Sequence, residues 1–168
     1  MSRLLEELRK CKARDDRGMM ANLRCILVEN KKHRAWPALH RIGVKIDEDI
    51  SAFIAGLYAT HPEEAFTGNF GTTCNAIQTE RNESTSDNKL TPTERRFQHL
   101  LSAKTPDELR SRIYGMVRMA KIQDVRINYA QLETDLANWF KDWGDITRTK
   151  WAAKFWTPGV VTDDEEDV

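Results

Sequence analysis

The stretch Thr91-Pro92-Thr93-Glu94-Arg95-Arg96-Phe97, followed by Thr105-Pro106-Asp107-Glu108, decides the fold class. Each quartet opens with a Thr that can cap backbone N–H groups and puts Pro at the first helical position, where a missing N–H costs nothing. Each also sets a Glu three residues after the cap, where its carboxylate can return a hydrogen bond to the backbone. Two helix starts therefore follow in close succession. Behind the first, Phe97, Leu100 and Leu101 form an apolar stripe, with Arg95 on the opposite side and Arg96 on its flank. Behind the second, Leu109, Ile113, Met116, Val117 and Ala120 form the stripe, and at about 100° per residue Arg110, Tyr114, Arg118 and Lys121 share one polar face.

The same period extends outward in both directions. Ile50, Phe53, Ile54, Leu57 and Tyr58 give a core helix with Asp47, Glu48 and Asp49 at the end where the helix dipole favours acids. Asp15 or Asp16 can cap a helix whose stripe is Met19, Met20, Leu23, Ile26 and Leu27, which leaves Arg24 on the flank. A first helix is expected from Ser2 to about Ala13. Downstream, Asn128 with Gln131 starts a helix that presents Leu132, Leu136, Trp139, Phe140 and Trp143 at heptad-like spacing. A last helix from near Asp145 groups Trp151, Ala152, Phe155 and Trp156, so most of the tryptophan falls between 139 and 156 and marks a packing centre.

The expected architecture is all-α, with no sheet and roughly eight to nine helices in two small lobes. The N-terminal lobe spans 1–81 and the C-terminal lobe 92–157, joined by an exposed, polar connection at 82–91 and followed by an acidic, disordered tail at 158–168.

The net charge is zero, yet the charges are sorted into blocks: +7 over residues 1–45, −6 over 46–92, +4 over 93–126, balance over 127–162, and −5 over the last six. Segregation of this kind describes a surface with basic and acidic regions and bears on partners more than on fold. No apolar run approaches a membrane span or a signal-peptide core, so a soluble, cytoplasmic protein with no membrane partner is expected. Cys11, Cys25 and Cys74 form no CxxC pair, which suits reduced thiols. His33, His40, His61 and His99 show no metal-ligand spacing, and neither a metal nor a cofactor is expected.

Catalytic chemistry finds no foothold in the motifs. Gly68-Asn69-Phe70-Gly71-Thr72-Thr73 lacks the Gly-Lys-Ser/Thr ending of a phosphate loop and reads as a turn and helix start. Asp47 to Asp49 read as a solvated first turn, and His61-Pro62-Glu63-Glu64 as another helix start. The stripe Arg110, Tyr114, Arg118 and Lys121 is the functional candidate, because phosphate backbones need spaced cations and an aromatic among them can stack on an unpaired base. A solvated helix face with Tyr114 half buried gives the same pattern; Arg95, Arg96 and Arg112 on nearby elements favour the binding reading. The N-terminal block, with Lys31, Lys32 and Arg34 in a loop and Arg3, Arg9, Lys10, Lys12 and Arg14 around the first helix, could also dock on an acidic partner or on the acidic block of a second copy.

Seven motifs in order complete the reading: Asp16-Arg17-Gly18 with Ala21-Asn22-Leu23-Arg24, Trp36-Pro37, His61-Pro62, Gly68-Asn69-Phe70-Gly71, Thr93-Glu94-Arg95-Arg96-Phe97, Asn128-Tyr129-Ala130-Gln131-Leu132 and Trp151-Ala152-Ala153-Lys154-Phe155-Trp156. In this order the chain resembles the CasB family, the small subunit of the type I-E CRISPR surveillance complex Cascade, from about Asp16 to Trp156. The resemblance implies a non-catalytic, all-helical, two-lobed subunit present in two copies. It also implies partners: the backbone and large subunits of the complex, the guide RNA, and the target and displaced DNA strands held in the R-loop. Carried over where the motifs match, the strand-contact residues are Arg24, Arg95, Arg96, Arg110, Arg118, Lys121 and Arg148; Tyr114 stands as a stacking residue on the spacing of the stripe alone. A free-standing helical nucleic-acid-binding or regulatory protein is the alternative. Two departures stand out: many members carry a second Arg after the one matching Arg24, and basic residues after the Gly-Asn-x-Gly turn. This chain has Cys25 and Cys74-Asn75-Ala76 there, so the first lobe's grip is expected to be either weaker or shifted to Lys31, Lys32 and Arg34.

Overall fold

The caps named by the sequence are in place. In the computed structural model, which describes residues 2–84 and 88–157, the Asp16 carboxylate accepts the Met19 N–H at 3.1 Å and starts α2 (Arg17–Arg24) behind α1 (Arg3–Ala13). Two 3-10 segments, Cys25–Leu27 and Glu29–Arg34, lead into α3 (Trp36–Arg41) and α4 (Asp49–Thr60). Asn69 and Thr72 exchange hydrogen bonds in a capping box at the start of α5 (Phe70–Glu80). Thr91 and Glu94 do the same for α6 (Pro92–Leu101). Thr105 caps α7 (Pro106–Gln123), but the Glu108 carboxylate turns to the Lys104 N–H at 3.0 Å, so this second quartet is not reciprocal. Asn128 caps α8 (Tyr129–Asn138), and α9 (Gly144–Phe155) closes the described chain. Residues 85–87 of the connection and the acidic tail at 158–168 lie outside the described residues.

Among the described residues the fold is all-α, with one isolated parallel bridge between Glu64 and Ile127. Helix α4 is the centre: Ala52 through Ala59 are all buried, because α1, α2, α7 and α8 surround it. Helix α5 precedes the connection in sequence, yet it packs on α9, α7 and α6. One continuous hydrophobic core results, running from Leu4 to Phe155. The α5–α9 approach depends on Gly71, where a Cβ would stand 2.0 Å from the Trp151 carbonyl oxygen, so only a glycine fits. Asn69 and Asn75 fasten the same pair of helices, donating to the carbonyls of Lys150 at 3.2 Å and Phe155 at 2.8 Å. Glu83, at the start of the connection, accepts from the backbone N–H and the hydroxyl of Thr93 and so ties that segment to α6.

Three expectations change. The heptad spacing predicts Phe140 and Trp143 on the apolar face, but α8 ends at Asn138 and the following turn points them outward, at 47% and 65% exposed. Trp139 and Trp151, fully buried with ring centroids 4.7 Å apart, form the packing centre instead. His61-Pro62-Glu63-Glu64 starts no helix: Ala65 N–H donates to the Ile127 carbonyl at 2.9 Å and Ile127 N–H to the Glu63 carbonyl at 3.0 Å, which holds the segment extended. Buried His61 donates from Nε2 to the Val125 carbonyl at 2.6 Å, since a carbonyl can only accept. Finally, Lys31, Lys32 and Arg34 occupy the second 3-10 segment rather than an open loop.

The opposite charge blocks meet inside the one chain. Arg9 on α1 grips Glu64 in a two-point pair at 2.8 and 3.0 Å, and this raises the affinity of the guanidinium for its proton. Lys12 donates to the Pro62 carbonyl at 2.8 Å and stands 3.5 Å from Glu63. Part of the N-terminal basic block is therefore engaged in holding α1 to the 61–66 segment.

Candidate nucleic-acid interface

The long helix α7 carries the cationic stripe. Arg110 and Tyr114 are half-buried at its start, and Arg118 and Lys121 are exposed further along. The rise from Arg110 to Lys121 is about 16 Å, which matches about five phosphate intervals of one strand measured along the axis of a duplex. The Arg118 guanidinium lies 5.7 Å from the centre of the Tyr114 ring, within cation–π range. Arg110 pairs with Asp107 at 2.6 Å one turn earlier; Asp107 is 91% exposed, so solvent weakens that pair. Arg118 and Lys121 have no ion-pair partner among the described residues.

At its C-terminal end the stripe opens into a cleft of about 570 Å³, lined by Lys121 of α7 and Asp124 just after it, by Arg17, Met20 and Arg24 from α2 with Asp15 and Asp16 before them, and by the 59–63 segment. Arg24 and Lys121, from opposite sides of the connection, share this cleft. Arg24 is held there by a hydrogen bond from Nη1 to the Ala59 carbonyl at 3.1 Å, at the C-terminal end of α4 where the dipole favours a cation. Other cations of the cleft are engaged locally: Lys12 with Glu63 and Arg17 with Asp15.

The remaining sequence candidates separate. Arg96 reaches the Met119 sulfur at 3.1 Å, and Met119 projects about 160° around α7 from Lys121, so Arg96 serves a different face from the stripe. Arg95 is exposed on α6 and does not line the cleft. Arg148 lies 5.1 Å over the Trp139 ring and donates to the Trp139 carbonyl at 3.2 Å and to Asp145 at 3.0 Å, a packing role. Arg112 donates to the His99 carbonyl at 2.7 Å, and so closes the C-terminal end of α6. The residues at the two departures have structural places. Cys74 is fully buried, Asn75 holds the last turn of α9, and Cys25 opens the 3-10 segment after α2.

The recognised motifs converge on structure rather than on chemistry. Glu94 accepts from the Thr91 N–H and from the Trp156 indole, and Phe97 stacks on Phe155 at 4.3 Å. Tyr129 donates to the His61 carbonyl, and the Trp151 indole to buried Asp135 at 2.7 Å. Among the described residues no group of His, Cys, Asp and Glu could hold a metal ion, and no helix is long and apolar enough to cross a membrane.

Fold and surface thus define an all-helical protein whose distinctive chemistry is a row of cations opening into a mixed-charge cleft. The chain belongs to the family of CRISPR-associated protein Cse2, whose profile matches residues 7–156. Family membership implies a subunit of the CRISPR Cascade assembly. The fold is similar to that of a Cse2-family CRISPR-associated protein from Thermus thermophilus, with TM-score 0.74 and 20% identity over 94% of this chain and 100% of that one. It is also similar to a structure of CasB from Thermus thermophilus, with TM-score 0.71 and 21% identity over 94% and 100% of the two chains. M. ruber CasB matches with TM-score 0.67 and 23% identity over 93% of each chain. No curated protein sequence matches the chain.

Proposed function

We propose that this chain is a non-catalytic subunit that grips nucleic-acid strands in a type I-E Cascade complex and so stabilises the R-loop. The observation that carries the reading is the shared cleft of Arg24 and Lys121. It draws a cation from each basic block to one place, and Arg118 continues it along α7. Guide pairing reads the sequence in such a complex, so a strand-gripping subunit needs phosphate contacts and no base code. Spaced cations on a rigid helix meet that need. Arg95 and Arg96 supply a second cationic face on α6, where a different strand or a neighbouring subunit would sit.

Co-expression with the other Cascade subunits and guide RNA tests the assembly. The chain should co-purify at two copies per complex, and a chain that stays unassociated overturns the reading. Strand binding across a salt series tests the grip: Arg24→Glu, Arg118→Glu and Lys121→Glu should weaken all sequences alike and flatten the salt slope. Unaltered strand binding by the isolated chain without assembly would instead favour a free-standing nucleic-acid-binding protein.

A further inference from the structure

Beside the start of the stripe lies a second hollow that phosphate contacts do not explain. It measures about 260 Å³ and sits between the 3-10 segments and the first turns of α7. Its walls are Ile26, Leu27, Phe53 and Tyr114, and its rim carries Arg110, Lys32, Ser111, Asp107 and Glu29. Ile26 and Leu27 are pressed against α4 because position 56 is glycine: a Cβ there would stand 2.3 Å from the Ile26 side chain. The walls are thus built into the core packing, whereas the rim is polar and open. Lys32 pairs with Glu29 at 2.8 Å and Arg110 with Asp107 at 2.6 Å, so both donors and acceptors ring an apolar niche.

A phosphate does not suit such a niche, because its walls are apolar and two carboxylates stand at its rim. A purely aliphatic side chain would use the walls and leave the rim idle. A flat ring with apolar faces and an edge of mixed donors and acceptors uses both. We propose that this hollow takes one unpaired nucleobase from the strand lying on Arg110, Arg118 and Lys121. The idea rests on the strand-gripping reading above and adds a base contact to it. Tyr114 supplies the stacking surface, since aromatic rings bind bases of any sequence through their faces. Asp107 and Glu29 accept from exocyclic amines, a contact that cytosine offers and thymine lacks. The occupant is therefore a single-stranded base that carries an amino group.

Equilibrium binding of the full chain to three strands of equal length tests this: oligo-dC, oligo-dT and a strand of abasic sites on the same phosphodiester backbone. Oligo-dC should bind more tightly than the abasic strand by about fivefold or more, the gain of stacking one base, with oligo-dT between them. Ser111→Leu, at an exposed rim position, should crowd the hollow without offering a ring to stack on, and so erase the difference between oligo-dC and the abasic strand while keeping the salt slope. Tyr114→Leu should do the same by removing the ring. Equal affinity of the wild-type chain for oligo-dC and the abasic strand, with a steep salt slope, overturns the base site and leaves the phosphate grip standing. A dC preference that survives both substitutions overturns the site as well. No binding to any strand overturns both readings.

Discussion

Arg148 lies over the Trp139 ring at 5.1 Å and donates to the carbonyl of the same residue at 3.2 Å. The arginine is thus a clamp on the α8–α9 turn, and its loss should appear in stability. Arg148→Ala is expected to cost about 1–2 kcal/mol in urea unfolding, with strand affinity little changed. Arg118→Ala should show the reverse pattern: unaltered unfolding and weaker, less salt-dependent binding. Measuring both variants in both assays separates the packing cation from the binding one.

Two glycines give opposite outcomes with the same substitution. Gly71→Ala forces a Cβ against the Trp151 carbonyl, so the α5–α9 contact must open, at a cost of about 1–3 kcal/mol. Gly115 sits inside α7 with nothing within 4 Å of an added Cβ. Gly115→Ala should therefore stabilise by about 0.5–1 kcal/mol, because it lowers the entropy of the unfolded chain. Thermal unfolding of the pair reads both signs.

The three thiols should differ in reactivity. Cys11 and Cys74 are buried, and burial pushes the Cys74 thiol well above its usual range. Cys25 is partly exposed. One equivalent of thiol reagent should react in the native protein and three after denaturation; rapid reaction of more than one native thiol would contradict the packing of α1 or α5.

Glu133 gives a pH dependence. Burial, the main cause, and the nearby Glu48 raise its carboxyl above the ordinary 4.5, while the Ser2 hydroxyl pulls it back, and Oε2 is buried without a hydrogen-bond partner. A raised folded-state value means that the ionised form is disfavoured in the fold, so the penalty is absent below 4.5 and develops as pH rises through the folded value. Glu133→Gln should raise stability at neutral pH and lose that advantage toward about pH 4. Unfolding midpoints at the two pH values check the sign.

Helix starts are legible in the sequence because a cap is a local device: Asp16, Asn69, Thr91, Thr105 and Asn128 each accept the N–H that their spacing announces. The stripe on α7 is legible for the same reason, as periodicity within one helix. Phe140 and Trp143 are not, since heptad spacing continues past Asn138 and no Pro or Gly marks the break before Gly144. The extended segment at 61–66 depends on Ile127, a partner that no local pattern reveals. The site divides along the same line. Arg118 and Lys121 can be read on one face, but the meeting of Lys121 with Arg24, and the diversion of Arg96 to Met119, are products of tertiary packing. The hollow beside Tyr114 escapes a sequence reading because its walls come from three separate stretches of chain.

The grip of α5 on α9 also sets an order of events during synthesis. Asn75 and the carbonyl it holds are 80 residues apart, and the buried faces of Phe70, Cys74 and Ile77 have their partners on helices made after the connection. An emerging chain can cap α5 at once, but it cannot cover it until α9 has left the ribosome. Long-range closure of this kind slows folding and leaves apolar surface uncovered in the interval. A chain cut short before Gly144 would carry that uncovered surface permanently, and aggregation rather than a stable half-molecule is the expected fate.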